Sequence, residues 1–157
     1  MTILTTESMT GTSISTPTTV ASAAPDENPN RLMVAATASS KKFDVPIIAD
    51  EAVLSAADIP KLAEAYDGIN IKLDKCGGLL EAYRMIQIAR ALGLKTMLGC
   101  MISSSVSVTA AAHLSPLVDY ADLDGNLLIA NDPYRGVLVK QGKLVLPDRP
   151  GLGLIPA

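Results

Sequence analysis

Residues 67–78 read Asp-Gly-Ile-Asn-Ile-Lys-Leu-Asp-Lys-Cys-Gly-Gly. Ile69, Ile71 and Leu73 alternate with Asn70, Lys72 and Asp74, the two-residue period of a strand, which is expected to span 69–75. The apolar set faces covering helices and the polar set faces the other way. Lys72 therefore points to the side where a closed barrel keeps its lumen. Partial desolvation there favours the neutral amine, which is available as a base. An exposed lysine, or one paired locally with Asp74, satisfies the same spacing. Gly77-Gly78 then supply either a tight strand-to-helix turn or an anion-binding helix start.

The same alternation of elements repeats on both sides of this stretch. Upstream, "VPIIADEAV" (45–53) is a short β-rich run. A helix is expected over 55–66, opened by Ser55 and Asp58 in a spacing like that of a capping box. Downstream, the pattern predicts a helix over 79–92. Glu81, Arg84, Gln87 and Arg90 mark its polar side, Leu79, Ala82, Tyr83, Ile86, Ala89 and Leu92 its apolar face, and Gly93 its stop. A strand at 95–100, a small-residue helix at 104–114 and a strand at 118–124 follow. Strands alternating with helices at this spacing mean parallel βαβ units. Residues 136–147 read as a hairpin turning at Gln141-Gly142, and 147–154 as a loop.

Composition bounds the rest. The 157 residues suit one domain, with 48% hydrophobic and 18% charged residues. Mean hydropathy is +0.31, which suits a chain that hides most of its elements. With one Phe, four Tyr and no Trp, the core must be Leu, Ile, Val, Ala and Met. Net charge is −3 and no basic stripe interleaves with aromatics, so nucleic acid is not an expected partner. No apolar run approaches the roughly 20 residues of a membrane span. Cys76 and Cys100 lack metal-ligand spacing and read as reduced thiols of a cytoplasmic protein. Residues 1–42 are rich in Ser, Thr and Ala, lack a sustained period, and read as a disordered or foreign segment.

Polar groups gather at the carboxyl ends of the expected strands, where barrel enzymes place their chemistry. Asp50 and Glu51 end the first, Lys72 and Asp74 the second, and Asp122 and Asp124 the fourth. Met101, Ser103 and Ser104 follow the third. Asp50 beside Glu51 is a donor type that Mg²⁺ accepts. Asp122 and Asp124, two apart on a strand, form an anionic pair for a ligand ammonium or a metal, or else a turn or helix cap. His113 is expected to pack or to end a helix. Cys100 is expected to act as a small buried hydrophobe.

"PIIADEAV" (46–53), "INIKLDKCGG" (69–78), "MLGCMISSSVSVTAAAHL" (97–114) and "YADLDGNLL" (120–128) occur in that order. Together they closely resemble the muconate-lactonizing branch of the enolase superfamily, nearest to the dipeptide epimerases acting on L-Ala-D/L-Glu. The Asp-x-Asp of the last segment favours these over the cycloisomerases. The resemblance implies an α/β fold in which residues 43–157 are the C-terminal half of a (β/α) TIM-type barrel plus a closing hairpin. It implies Asp50 as the third Mg²⁺ ligand, Glu51 as its supporting neighbour, and Lys72 as one of two lysine acid/bases. It implies Asp122 and Asp124 as the holders of the dipeptide ammonium. Ser103 stands at a substrate-binding position where many relatives carry Glu.

The implied reaction is an isomerase's 1,1-proton transfer at the carbon α to a carboxylate. The family's second lysine, in a Lys-x-Lys motif, and its first two metal ligands have no counterpart in the chain, and the adjacent Lys41-Lys42 do not fit. The expectation is therefore a fragment inactive alone, completed by a homo-oligomer or by a missing N-terminal half. The alternatives are a cycloisomerase, an N-acylamino-acid racemase, or a non-catalytic half-barrel acting through association.

Overall fold

The computed structural model describes residues 46–157. The expectations for residues 1–42, including Lys41-Lys42, lie outside the described residues. Four parallel strands form one sheet in sequence order: β1 (Ile48–Ala49), β2 (Gly68–Lys72), β3 (Lys95–Gly99) and β4 (Tyr120–Asp122). Short helix α1 (Ile59–Leu62) joins β1 to β2. A helical turn α2 (Leu73–Cys76) and helix α3 (Leu79–Ala91) lie between β2 and β3, and α4 (Ser105–Ala112) precedes β4.

The register sets the layers. Ala49 lies opposite Ile69, Ile69 opposite Thr96, Lys72 opposite Gly99 and Gly99 opposite Asp122. Two aspartates pin this register from the amino ends of the strands. Asp67 accepts from the Ile47 N–H at 2.7 Å, and Asp119 from the Thr96 N–H at 2.8 Å and hydroxyl at 3.0 Å. One sheet face, carrying Ala49, Ile69, Ile71, Leu98 and Ala121, packs on the helices in a single hydrophobic core. Ile48 and Met97 are buried on the opposite face.

Several element boundaries differ from the sequence reading. The second strand stops at Lys72 because Leu73–Cys76 winds into a helical turn. Gly77 closes that turn at φ 89°, its N–H donating to the Leu73 carbonyl at 3.0 Å, and Gly78 follows at φ 127°. The glycine pair thus makes the tight turn, in a backbone region that side chains disfavour. Asp74 leaves the strand and meets the Ser107 hydroxyl at 3.3 Å.

The first helix is only Ile59–Leu62, with Asp58 at its cap. The Asp58 carboxylate reaches back to the Ser55 N–H at 2.9 Å but also takes the Ser55 hydroxyl at 2.9 Å. The serine therefore donates to the aspartate instead of capping a helix.

In α3 the buried face is Ala82, Met85, Ile86 and Ala89, the i, i+3, i+4, i+7 set of one helical stripe. Leu79, Tyr83 and Leu92 are exposed, so the core stripe is narrower than the apolar pattern suggested. The last strand of the sheet is three residues, not seven, and Asp124 falls in the turn before a 3₁₀ segment, Gly125–Leu128.

The tail packs back on α4. Asp132 accepts from the Ser105 N–H at 2.8 Å, satisfying a free donor of the first helical turn, and Thr109 accepts from the Val137 N–H at 2.9 Å. The hairpin forms as β6 (Leu138–Lys140) and β7 (Lys143–Val145), with Gln141 and Gly142 both at positive φ, as a primed two-residue turn requires. A further antiparallel pair, β5 (Tyr134–Arg135) with β8 (Ile155–Pro156), borders the segment read as a loop. Among the described residues no helix is long and apolar enough to cross a membrane.

Candidate active site

Parallel pairing sends opposed residues to the same face. Asp50 follows Ala49 and so stands level with Asn70. One step further along the strands, Lys72, Gly99 and Asp122 form a second level on that face. Gly99 contributes no side chain between its neighbours. Lys72 and Asp122 therefore face each other across two strand spacings, about 9.5 Å of backbone.

The glycine is required by space. A Cβ at Gly99 would lie 2.7 Å from Asn70 Oδ1, 2.9 Å from Asn70 Nδ2 and 3.0 Å from Lys72 Cε. Gly99→Ala is expected to push Lys72 out of line and to cost about 1–3 kcal/mol of stability, the usual range for an overpacked site. Urea unfolding of the variant checks the cost, and a crystal structure checks the displacement.

Asp50 is the hub. Its Oδ2 lies 3.0 Å from Lys72 Nζ and accepts from Asn70 Nδ2 at 3.1 Å, while its Oδ1 lies 2.6 Å from Lys75 Nζ. Lys75 Nζ also meets Glu51 Oε1 at 2.8 Å. Burial alone would raise the Asp50 pKa, but hydrogen bonds from Lys75 and Lys72 and their charges outweigh it and hold the carboxyl below its usual range. Burial would likewise lower that of Lys75. Its bonds to Asp50 and Glu51 prevail and raise it. Lys72 is thus neither exposed nor paired with Asp74. The Asn70 carbonyl oxygen is buried without a hydrogen-bond partner among the described residues.

The second acidic group is built by the chain after β4. Burial first, and then the negative charge of Asp124, raises the Asp122 pKa, with Lys72 opposing. Asp122 and Asp124 thus act as neighbours although only Asp122 is on the strand. The Gly125 N–H donates to Cys100 Sγ at 3.3 Å, and a Cβ at Gly125 would strike the Met101 carbonyl, so this turn sits tight against the end of β3. Cys100 is half-buried, and burial pushes its thiol pKa up, which fits an unreactive packing residue. Ser103 donates to the Met101 carbonyl at 3.2 Å, a bond inside its own loop. His113 ends α4, its Nε2 3.4 Å from the Leu152 carbonyl.

The raised Asp122 pKa has a definite sign. Its contribution to stability is complete below the ordinary carboxylate value and is lost as pH rises through the raised, folded-state value. Asp122→Asn is therefore expected to be more stable than the parent at pH 7, with the difference closing near pH 3.5. Thermal melts of the two chains at both pH values check this. The depressed carboxyls of Asp50, Asp58 and Asp119 cancel in the comparison.

The sequence reading named Asp50, Lys72, Asp122 and Asp124, which lie at the carboxyl end of the sheet, but did not name Lys75 or Gly99 beside them. On an extended strand Lys75 would point at the helices. Only the helical turn after Lys72 swings it back to Asp50. Gly99 carries no chemistry of its own, and the signal was its place on the same level as Lys72.

A magnesium ion takes about six oxygen ligands in near-octahedral geometry. Among the described residues no three His, Cys, Asp or Glu side chains gather to hold a metal. Asp50 brings one carboxylate, and both its oxygens already meet ammonium groups. The described residues by themselves do not fit the ion.

Known proteins resemble this chain in sequence and in fold. The L-Ala-D/L-Glu epimerase of Bacteroides thetaiotaomicron is 50% identical over 116 residues, covering 74% of this chain and 30% of the relative. The substrate-liganded structure of the L-Ala-D/L-Glu epimerase from Bacillus subtilis superposes with a TM-score of 0.72 at 31% identity, covering 79% of this chain and 36% of that one. The dipeptide epimerase of Methylococcus capsulatus, complexed with Mg and L-Arg-D-Lys, gives a TM-score of 0.66 at 44% identity, covering 69% and 33%. The chain thus spans about a third of the length of these relatives. Its parallel α/β sheet is that of their C-terminal barrel domain. The enolase C-terminal domain-like family model matches residues 25–156, and the chain belongs to that family.

Proposed function

We propose that this chain supplies one wall of a dipeptide epimerase site: a lysine that moves the α-proton and an acidic pair that holds the substrate's free amino group. The observation that carries this reading is the shared level of Lys72 and Asp122 on one sheet face, with Gly99 open between them. An α-proton beside a carboxylate is very weakly acidic, so its removal needs a base held at the carbon. Lys72 is that base, or the acid that returns the proton, and Asp50 holds its Nζ in place at 3.0 Å. Asp122 and Asp124 attract an ammonium, the group that distinguishes a free dipeptide from an N-acylated amino acid.

Inversion at carbon needs a second base on the opposite face of the substrate. The described residues hold no such lysine opposite Lys72. The reading therefore assigns to this chain Lys72, Asp122, Asp124, Ser103 at the rim of the substrate site, and one carboxylate, Asp50 with Glu51 beside it, of a Mg²⁺ site completed elsewhere. Its working place is the cytoplasm, where Cys76 and Cys100, both free among the described residues, stay reduced.

The test mixes the full chain with the part of the Bacteroides relative that it does not match, and assays epimerisation of L-Ala-D-Glu with Mg²⁺. Turnover by the mixture and none by either piece supports the reading. Association of the two pieces without turnover sinks it. Asp124→Asn in the active mixture is expected to weaken binding of free dipeptides about tenfold or more and to spare N-acyl ligands. The reverse preference would make the site an N-acylamino-acid racemase.

A further inference from the structure

Asp124 lies off the strand, in the turn before Gly125–Leu128. Among the described residues its carboxylate meets only a weak donor, the Cys100 thiol 4.0 Å from Oδ1. Its place is therefore set by the backbone of its turn. Gly125 ties one side of that turn to the end of β3, through the Cys100 sulfur and the Met101 carbonyl. The other side is tied to α4, where Asn126 Nδ2 donates to Ser105 Oγ at 3.1 Å. Leu127 and Leu128, which follow, are exposed. Among the described residues the Asn126–Ser105 bond is thus the last side-chain anchor of the turn.

Ser105 is itself held firmly. It is 4% exposed at the start of α4. The preceding Ser104 makes no side-chain cap bond, so the Ser105 N–H, a free donor of the first turn, goes to Asp132 at 2.8 Å. Asp132 is steadied in turn by the Tyr134 N–H at 3.2 Å. A line of hydrogen bonds runs from the tail through Ser105 and Asn126 to the turn that carries Asp124. We infer that Ser105 is a positioning residue: through Asn126 it fixes the distance of the Asp124 carboxylate from Asp122, and with it the grip of the pair on an ammonium. The second half of this rests on the reading above of the pair as holder of the substrate's amino group.

Two carboxylates share one ammonium only when each comes within about 3 Å of it. A turn free to drift would leave Asp122 to hold the ammonium alone. The same drift weakens the repulsion between the two carboxylates. Burial first, and then the charge of Asp124, raises the Asp122 pKa against the opposing Lys72, and the Cys100 thiol stands beside both aspartates. Moving Asp124 away removes the second cause and lets the Asp122 value fall toward the ordinary range.

The experiment titrates the Asp122 carboxyl of the full chain by carbon NMR. Ser105→Ala is expected to lower its pKa relative to the parent, and Asn126→Ala to lower it as far. The double variant is expected to go no further, because both changes cut one bond. In an Asp124→Asn background Ser105→Ala is expected to change nothing, since the charge whose distance matters is gone. A fall that persists in that background marks loosened burial and overturns the inference, as does an unaltered Asp122 pKa in the single variants. Should Ser105→Ala not fold, the half-buried Asn126 supplies the same test through Asn126→Ala.

The amino-group reading is judged by a separate measurement. In the active mixture Ser105→Ala is expected to raise KM for L-Ala-D-Glu about fivefold with kcat unchanged, the mark of lost ground-state binding. The expected Asp122 shift with KM unaltered leaves Ser105 a positioning residue of the turn and overturns the acidic pair as holder of the amino group, so the two failures are told apart.

Discussion

Asp50→Ala is expected to cost the chain about 3–5 kcal/mol of folding stability, the range for removing one partner of a buried ion pair. The substitution strands two ammonium groups at once: Lys72, 14% exposed at 3.0 Å, and Lys75, 9% exposed at 2.6 Å. Lys75 keeps the half-exposed Glu51, and among the described residues Lys72 keeps no other ion pair. The Asn70 amide also loses its acceptor. Against a total of about 5–15 kcal/mol for a domain, this is a third or more. Asp74→Ala is the control, because its carboxylate is exposed and, among the described residues, bonded to Ser107 alone. That change is expected to stay within about 0.5 kcal/mol. Urea denaturation of both variants at pH 7 makes the comparison. A loss under about 1 kcal/mol for Asp50→Ala would show a cluster screened by solvent in the way surface pairs are.

The pH dependence carries the same information with its own sign. The folded Asp50 pKa is depressed, so its contribution is present above the ordinary carboxylate value. That contribution is lost as pH falls through the folded-state value. Acid titration of the parent should therefore release a larger share of its stability than the same titration of Asp50→Ala.

Lys72→Met is expected to lower epimerisation by the completed enzyme about 10²–10⁴-fold, the range for removing a positioned acid/base. The diagnostic is stereochemical. In the proposed reaction each base serves one face of the α-carbon. Without Lys72, the epimer whose proton faces the second base should still exchange it for solvent deuterium, without inverting. The other epimer should not exchange at all. Proton NMR of each epimer in D₂O measures both rates. Equal exchange from the two epimers, or inversion that persists, would remove Lys72 from the chemistry. Stability should shift less than activity, because Asp50 keeps Lys75 and Asn70 as partners.

How much of this was legible in the sequence depends on the range of the interactions involved. The alternation of Ile69 and Ile71 with Asn70 and Lys72 is a local pattern, and the structure kept it through Lys72. It failed at Leu73 because a positive φ at Gly77 rewards a helical turn more than continued pairing does. In α3 the period was right, but which apolar residues are buried was decided by the sheet. Met85 replaced Leu79, Tyr83 and Leu92 at the interface. The capping spacing of Ser55 and Asp58 was real, yet the hydroxyl chose the carboxylate over the backbone.

The candidate site divides along the same line. Residue types at strand ends named Asp50, Lys72, Asp122 and Asp124, because barrel chemistry collects there and the quoted motifs resemble those of the dipeptide epimerases. The alternation of short apolar strands with small-residue helices, in a chain poor in aromatics, already determined a parallel α/β sheet, since period and side-chain size are properties of neighbours in sequence. Only the tertiary structure could decide that Lys75 folds back 25 residues to clamp Asp50 and that Gly99 must stay bare between Lys72 and Asp122. Both depend on register between strands, and register is set by contacts such as those of Asp67 and Asp119 that no local stretch contains.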